Sequence, residues 1–76
     1  MTQKYVNEYK KIGLNISYYR KLKGLTQLQL AEAINISRTH ISNIEAPNMP
    51  TRISLETLFD ISEVLDVSVA KLLKFD

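Results

Sequence analysis

The chain has no cysteine, which excludes disulfides, thiolate metal ligands and cysteine nucleophiles. A core of 76 residues must then hold together without covalent staples, which favours well-packed helices or a second subunit. The lack of cysteine also fits a cytoplasmic setting. Apolar runs reach no more than two or three residues, as at Leu72-Leu73, far short of the roughly 18 that a membrane span needs. The first residues, Met1-Thr2-Gln3-Lys4, carry no apolar stretch of the secretory kind. There is a single histidine, and no carboxylate pair stands with a nucleophile, so catalysis, a metal site and a cofactor are not expected. Only two glycines and two prolines break the chain, and strand-like alternation is missing.

What is present is an ordinary globular balance, 45% apolar and 24% charged, in a length that allows one small domain. Apolar residues recur at i, i+3 and i+4, so the fold class is all-α. One device occurs four times: an apolar residue, then Ser or Thr, then an apolar residue four positions after the hydroxyl. It is seen at Leu25-Thr26 with Leu30, Ile36-Ser37 with Ile41, Ile53-Ser54 with Leu58, and Val67-Ser68 with Leu72. The hydroxyl accepts from an orphan N–H of a first helical turn, and the apolar pair staples the entry. Thr26 has Gln29 three residues on, which completes a capping box.

Four helices therefore start near 26, 37, 54 and 68. A first helix precedes them, with Tyr5, Tyr9, Ile12, Ile16 and Tyr19 on one stripe and Gly24 at its end after Lys21 and Lys23. Gly13 interrupts it at about 1 kcal/mol relative to Ala, so residues 1–10 are expected to be an N-terminal arm or a helix extension. Pro47 stops the third helix near Glu45, and residues 46–53 form the one extended loop. The layout is five helices at about 5–23, 27–34, 38–45, 55–65 and 69–74.

Only Asn35-Ile36-Ser37 separates the second and third helices, too few residues for them to lie antiparallel, so a sharp helix-turn-helix crossing is expected over 27–46. Ala31 is small enough for the close approach, and Leu30, Ile34, Ile36, Ile41 and Ile44 supply the apolar faces. Asn35 tolerates the left-handed conformation that the turn needs. Ile41 and Ile44 then face inward, leaving Arg38, Thr39, Ser42 and Asn43 outward. Arg38 suits guanine O6 and N7, Asn43 suits adenine N6 and N7, and Thr39 suits a thymine methyl. A polar outer face is also what any amphipathic helix shows.

The segments Lys11–Ile16, Arg20–Gln27, Leu30-Ala31, Ile36–Glu45 and Ser54–Leu58 together resemble the Cro/C1-type helix-turn-helix family of bacterial and phage transcriptional regulators. The resemblance runs over residues 11–74. It implies a lambda-repressor-like five-helix DNA-binding domain whose third helix enters the major groove of double-stranded DNA. The outward face of that helix supplies the candidate base contacts Arg38, Thr39, Ser42 and Asn43, and the resemblance makes Gln27 a phosphate contact; Thr26, Ser37, His40, Lys23 and Arg52 are further phosphate candidates, of which His40, Lys23 and Arg52 read equally well as solvent-exposed side chains. The resemblance also implies a structural ion pair between Arg20 and Glu45. After Glu45 the chain departs from the family, with Ala46-Pro47-Asn48 where Asn-Gly or Arg-Gly is usual.

The fourth and fifth helices hold more apolar residues than one face needs. Val64, Val69, Leu73 and Phe75 are candidates for a homodimer contact, and family members bind palindromic sites with half-sites one helical turn apart. The length leaves no room for an effector-sensing domain within the chain. A protein-interaction module, an antitoxin or adaptor that uses the same fold to hold a protein, remains the alternative. The net charge of +2 hides a division: residues 1–52 hold eight Lys or Arg and three Asp or Glu, whereas 53–76 hold two and five. The basic part carries the expected reading head.

Overall fold

A computed structural model describes residues 4–75 as five helices: α1 (Val6–Leu22), α2 (Gln27–Ala33), α3 (Arg38–Glu45), α4 (Leu55–Leu65) and α5 (Val69–Leu72). The described residues contain no strand, so the expected all-helical class and helix count hold, with ends displaced by at most two residues. Residues 1–3 of the expected arm lie outside the described residues. No helix is long and apolar enough to cross a membrane.

Three of the four inter-helix connections close in the same way. At the end of α1, Gly24 takes φ +81°, its N–H donates to the Lys21 carbonyl, and Leu25 N–H reaches back to the Arg20 carbonyl. Asn35 (φ 60°) repeats this after α2, with Ile36 N–H on the Ala31 carbonyl, and Asp66 (φ 56°) repeats it after α4, with Val67 N–H on the Ser62 carbonyl. These are Schellman closures, which satisfy carbonyls that the helix leaves unpaired. In each the left-handed residue is followed by an apolar residue and then by the next N-cap: Gly24-Leu25-Thr26, Asn35-Ile36-Ser37 and Asp66-Val67-Ser68. One three-residue turn thus ends a helix and starts another.

The starts use the expected hydroxyls. Thr26 Oγ1 accepts from Gln29 N–H at 3.0 Å while Gln29 Oε1 accepts from Thr26 N–H at 2.8 Å, a complete capping box. Ser37, Ser54 and Ser68 accept from the N–H groups of His40, Thr57 and Lys71.

The core gathers Ile12 and Ile16 of α1, Leu30 and Ala31 of α2, Ile41 and Ile44 of α3, Leu58, Ile61 and Leu65 of α4, and Leu72 of α5. Tyr9, Tyr19, Ile34, Ile36, Val64, Val67 and Val69 pack around it half-buried. Helix α3 packs chiefly on α1 and α2, while α4 packs on α1, α2 and α5. Asn15 Nδ2 donates to the carbonyls of Leu72 and Lys74, both at 2.9 Å, and ties the end of α5 to α1.

Helix α1 runs unbroken through Gly13, contrary to the expected interruption there. The reason lies in the fold: Gly13 is buried against α3, and a Cβ there would overlap the Ile44 carbonyl oxygen. The residue that weakens α1 locally lets the two backbones cross closely. The loop after α3 turns at Pro47-Asn48, closed by Met49 N–H on the Ala46 carbonyl at 3.3 Å. Asn48 is not among the residues with positive φ, so this turn does not use the left-handed conformation. Thr51 Oγ1 ties the loop back to α3 by donating to the Asn43 carbonyl at 3.1 Å.

Candidate nucleic-acid interface

The candidate interface grows from the two faces of α3. Eight residues make little more than two turns, and Ile41, Ile44 and Glu45 are buried, which sends the remainder outward. Arg38 and Thr39 are exposed, and Ser42 and Asn43, one turn further, are half-buried. His40 is half-buried, with its backbone N–H held by Ser37 Oγ at 3.1 Å. That bond occupies an oxygen lone pair of Ser37, as the capping box does at Thr26, and leaves each hydroxyl proton available to a partner outside the helix.

Behind this face the end of α3 is locked. Arg20 Nε donates to Glu45 Oε2 at 2.7 Å and Arg20 Nη2 donates to Glu45 Oε1 at 2.9 Å, a bidentate pair with side chains only 8% and 5% exposed. Arg20 Nη1 donates to the Leu25 carbonyl at 2.7 Å, so the same guanidinium also holds the start of the helix-turn-helix. Among the described residues no buried side-chain nitrogen or oxygen lacks a partner. A satisfied network of this kind fixes geometry, whereas its net stabilisation is small because desolvation offsets the attraction. Glu45 is the only acid on α3, and the pairing removes its charge from the outer surface.

Gln27 is a member of this network. Its Nε2 donates to Glu45 Oε1 at 3.1 Å, a role that sequence reasoning did not foresee because the two residues lie on different helices. The side chain bridges α2 to the end of α3 and borders a surface cleft of about 290 Å³. Ser17 and Lys21 of α1 and Ser42 of α3 line the same cleft, with the Arg20–Glu45 pair and Pro47 also at its wall. Ser17 was not singled out from the sequence, and Lys21 was read only as a cation at the helix end. Their spacing of four marks one face of α1, but only the fold shows that this face adjoins α3.

The other expected phosphate contacts are placed apart from this cleft. Lys23 lines a separate depression with Leu65, Asp66 and Lys71. Arg52 is exposed in the loop before α4, next to the tethered Thr51. Among the dimer candidates, Val64 and Val69 pack against the core, while Leu73 and Phe75 are exposed. Leu55 and Phe59, one turn apart on α4, are the more exposed apolar pair at 66% and 54%. The excess of apolar residues in α4 was visible in the sequence; which of them face outward was not.

The chain and its fold are similar to those of known proteins. A family model described as helix-turn-helix matches residues 16–72, well over half of the chain. The HTH-type transcriptional regulator SinR of Bacillus subtilis is 44% identical over 62 residues, 82% of this chain and 55% of SinR. The chain thus spans about half the length of that relative. Control protein C.SmaI of Serratia marcescens is 37% identical over 59 residues, 78% of this chain and 68% of that protein. Among solved structures, SinR, a master regulator for biofilm formation, in complex with DNA matches at a TM-score of 0.76 and 43% identity, covering 83% of this chain and 98% of that one. The restriction-modification controller protein C.AhdI of Aeromonas hydrophila superimposes at a TM-score of 0.78 with 24% identity, covering 87% and 97%, a likeness of fold. By the extent of the family match and the identity to C.SmaI, the chain belongs to the Cro/C1-type helix-turn-helix family.

Proposed function

We propose that the protein is a sequence-specific transcription regulator of the cytoplasm that binds double-stranded DNA by placing α3 in the major groove. The observation that carries this reading is the outer face of α3. Arg38, Thr39, Ser42 and Asn43 stand outward on a helix whose single carboxylate is buried and paired, and α1 and α2 fix its pose. Such a face presents donors and acceptors to base edges without a negative charge to repel phosphates. The relative SinR, solved in complex with DNA, supports the same reading.

In this reading Arg38 and Asn43 make the bidentate base contacts and Thr39 and Ser42 complete the readout. Thr26, Gln27, Ser37 and His40 approach phosphates near the ends of α2 and α3, and Arg52 approaches from the loop. A pair of copies reading a palindrome accounts for the apolar side chains left exposed at Leu55, Phe59, Leu73 and Phe75. The experiment is selection of bound duplexes from a random pool, followed by affinity measurements over a range of salt. A palindromic motif and a steep loss of affinity with salt are expected. A pool that stays random after selection would defeat the proposal in favour of a module that binds protein.

A further inference from the structure

The cleft beside α3, between the helix-turn-helix and α1, has a composition that suits one ligand chemistry. Three helices converge there: α1 contributes Ser17 and Lys21, α2 contributes Gln27 and α3 contributes Ser42. Each is a donor, through two hydroxyls, an amide and an ammonium group. The acid in the wall, Glu45, is saturated by Arg20 and Gln27, which together place three donors on its two oxygens. Arg20 in turn is committed to Glu45 and to the Leu25 carbonyl. Lys21 is exposed and has no ion pair among the described residues, so it supplies the uncompensated charge of the cleft. A site of about 290 Å³ with net positive charge and convergent donors fits a tetrahedral anion.

We infer that this cleft seats one backbone phosphate of bound DNA, with Lys21 supplying the charge and Ser17 a hydroxyl, so that α1 contacts DNA directly. The inference rests on the DNA-binding reading above and deepens it. The position of the cleft supports a backbone phosphate over a free anion: Ser42 belongs at once to the outer face of α3 and to the cleft, so DNA lying along that face runs past Lys21. The seat also gives Gln27 two partners, because its Nε2 is held by Glu45 while its amide borders the cleft. A phosphate held there would contact α1, α2 and α3 together and fix the angle at which α3 enters the groove.

The test uses Lys21→Gln, Lys21→Arg and Ser17→Ala in the full chain, each titrated against the selected duplex and against a random duplex of equal length. Phosphate contacts carry no sequence information, so Lys21→Gln is expected to weaken both duplexes by the same factor. It is expected to lower the salt slope by about 0.9 per bound copy, about 1.8 for two copies on a palindrome, so that its deficit there shrinks about twelvefold between about 50 and about 200 mM salt. Lys21→Arg keeps the wild-type slope, and Ser17→Ala weakens both duplexes with the slope unchanged. A Lys21→Gln protein with wild-type slope and affinity overturns the seat while the DNA reading stands. So does Lys21→Arg losing as much as Lys21→Gln, which would make the ammonium a structural group. A wild-type protein that binds neither duplex overturns the DNA reading itself, and the seat with it.

Discussion

The crossing of α1 with α3 and the packing of α4 with α5 hold the same small core by different means. At the crossing, a buried bidentate pair, a bridging amide and a glycine that permits backbone contact fix one helix against another. In the α4 and α5 half the core residues are aliphatic, the charges are mostly acidic and exposed, and Leu55 and Phe59 remain outside. The crossing tolerates one geometry, because a charged network that slips leaves unpaired charge in a dry site. The aliphatic half can readjust at lower cost. The demanding interactions therefore stand behind the helix whose orientation matters in the proposed reading of DNA.

Removing the acid at the crossing has the largest expected effect. Glu45→Ala leaves the buried Arg20 guanidinium without its carboxylate and Gln27 without its acceptor, at a cost of about 3 to 5 kcal/mol. Thermal unfolding followed by circular dichroism should show a large drop in Tm or no folded state. A stable variant with a changed operator preference would mean that the pair is not structural.

Gly13→Ala tests the crossing by sign. In an isolated helix this change stabilises by about 1 kcal/mol. Here the added methyl meets the backbone of Ile44 and forces α1 and α3 apart, so chemical denaturation should report a loss of stability. A gain would show that the two helices separate at little cost.

The smallest effect belongs to the other half. Asp66→Gly relieves a non-glycine residue of the left-handed conformation at the end of α4, and a gain of at most about 1 kcal/mol in urea unfolding is expected. A loss would mean that the Asp66 side chain contributes to the turn beyond its backbone.

The sequence made the local devices legible and the distant ones obscure. Thr26, Ser37, Ser54 and Ser68 could be placed at helix starts because a cap and the N–H that donates to it lie three residues apart. Asn35 was recognisable as a turn residue for the same reason, whereas Asp66 lacks the glycine or asparagine that usually marks such a turn. Gly13 read as a weak point in a helix because the atom that demands it belongs to Ile44, on another helix. Lys21 and Lys23 are near-equivalents in the sequence, yet the rotation of α1 sends one to the cleft with Gln27 and Ser42 and the other to a depression with Asp66. The outward residues of α3 followed from periodicity, since Ile41 and Ile44 leave only one face for Arg38, Thr39, Ser42 and Asn43.

The proposed division of labour is that α3 reads bases while the Arg20–Glu45 pair behind it holds it in place. It is tested most directly by repeating the duplex selection with Arg38→Ala, whose exposed side chain has no structural partner among the hydrogen bonds and ion pairs of the described residues. An unchanged Tm and loss of base preference at one position of each half-site, worth about 1 to 3 kcal/mol, are expected, with the other positions retained. A selected motif identical to that of the wild type would contradict it.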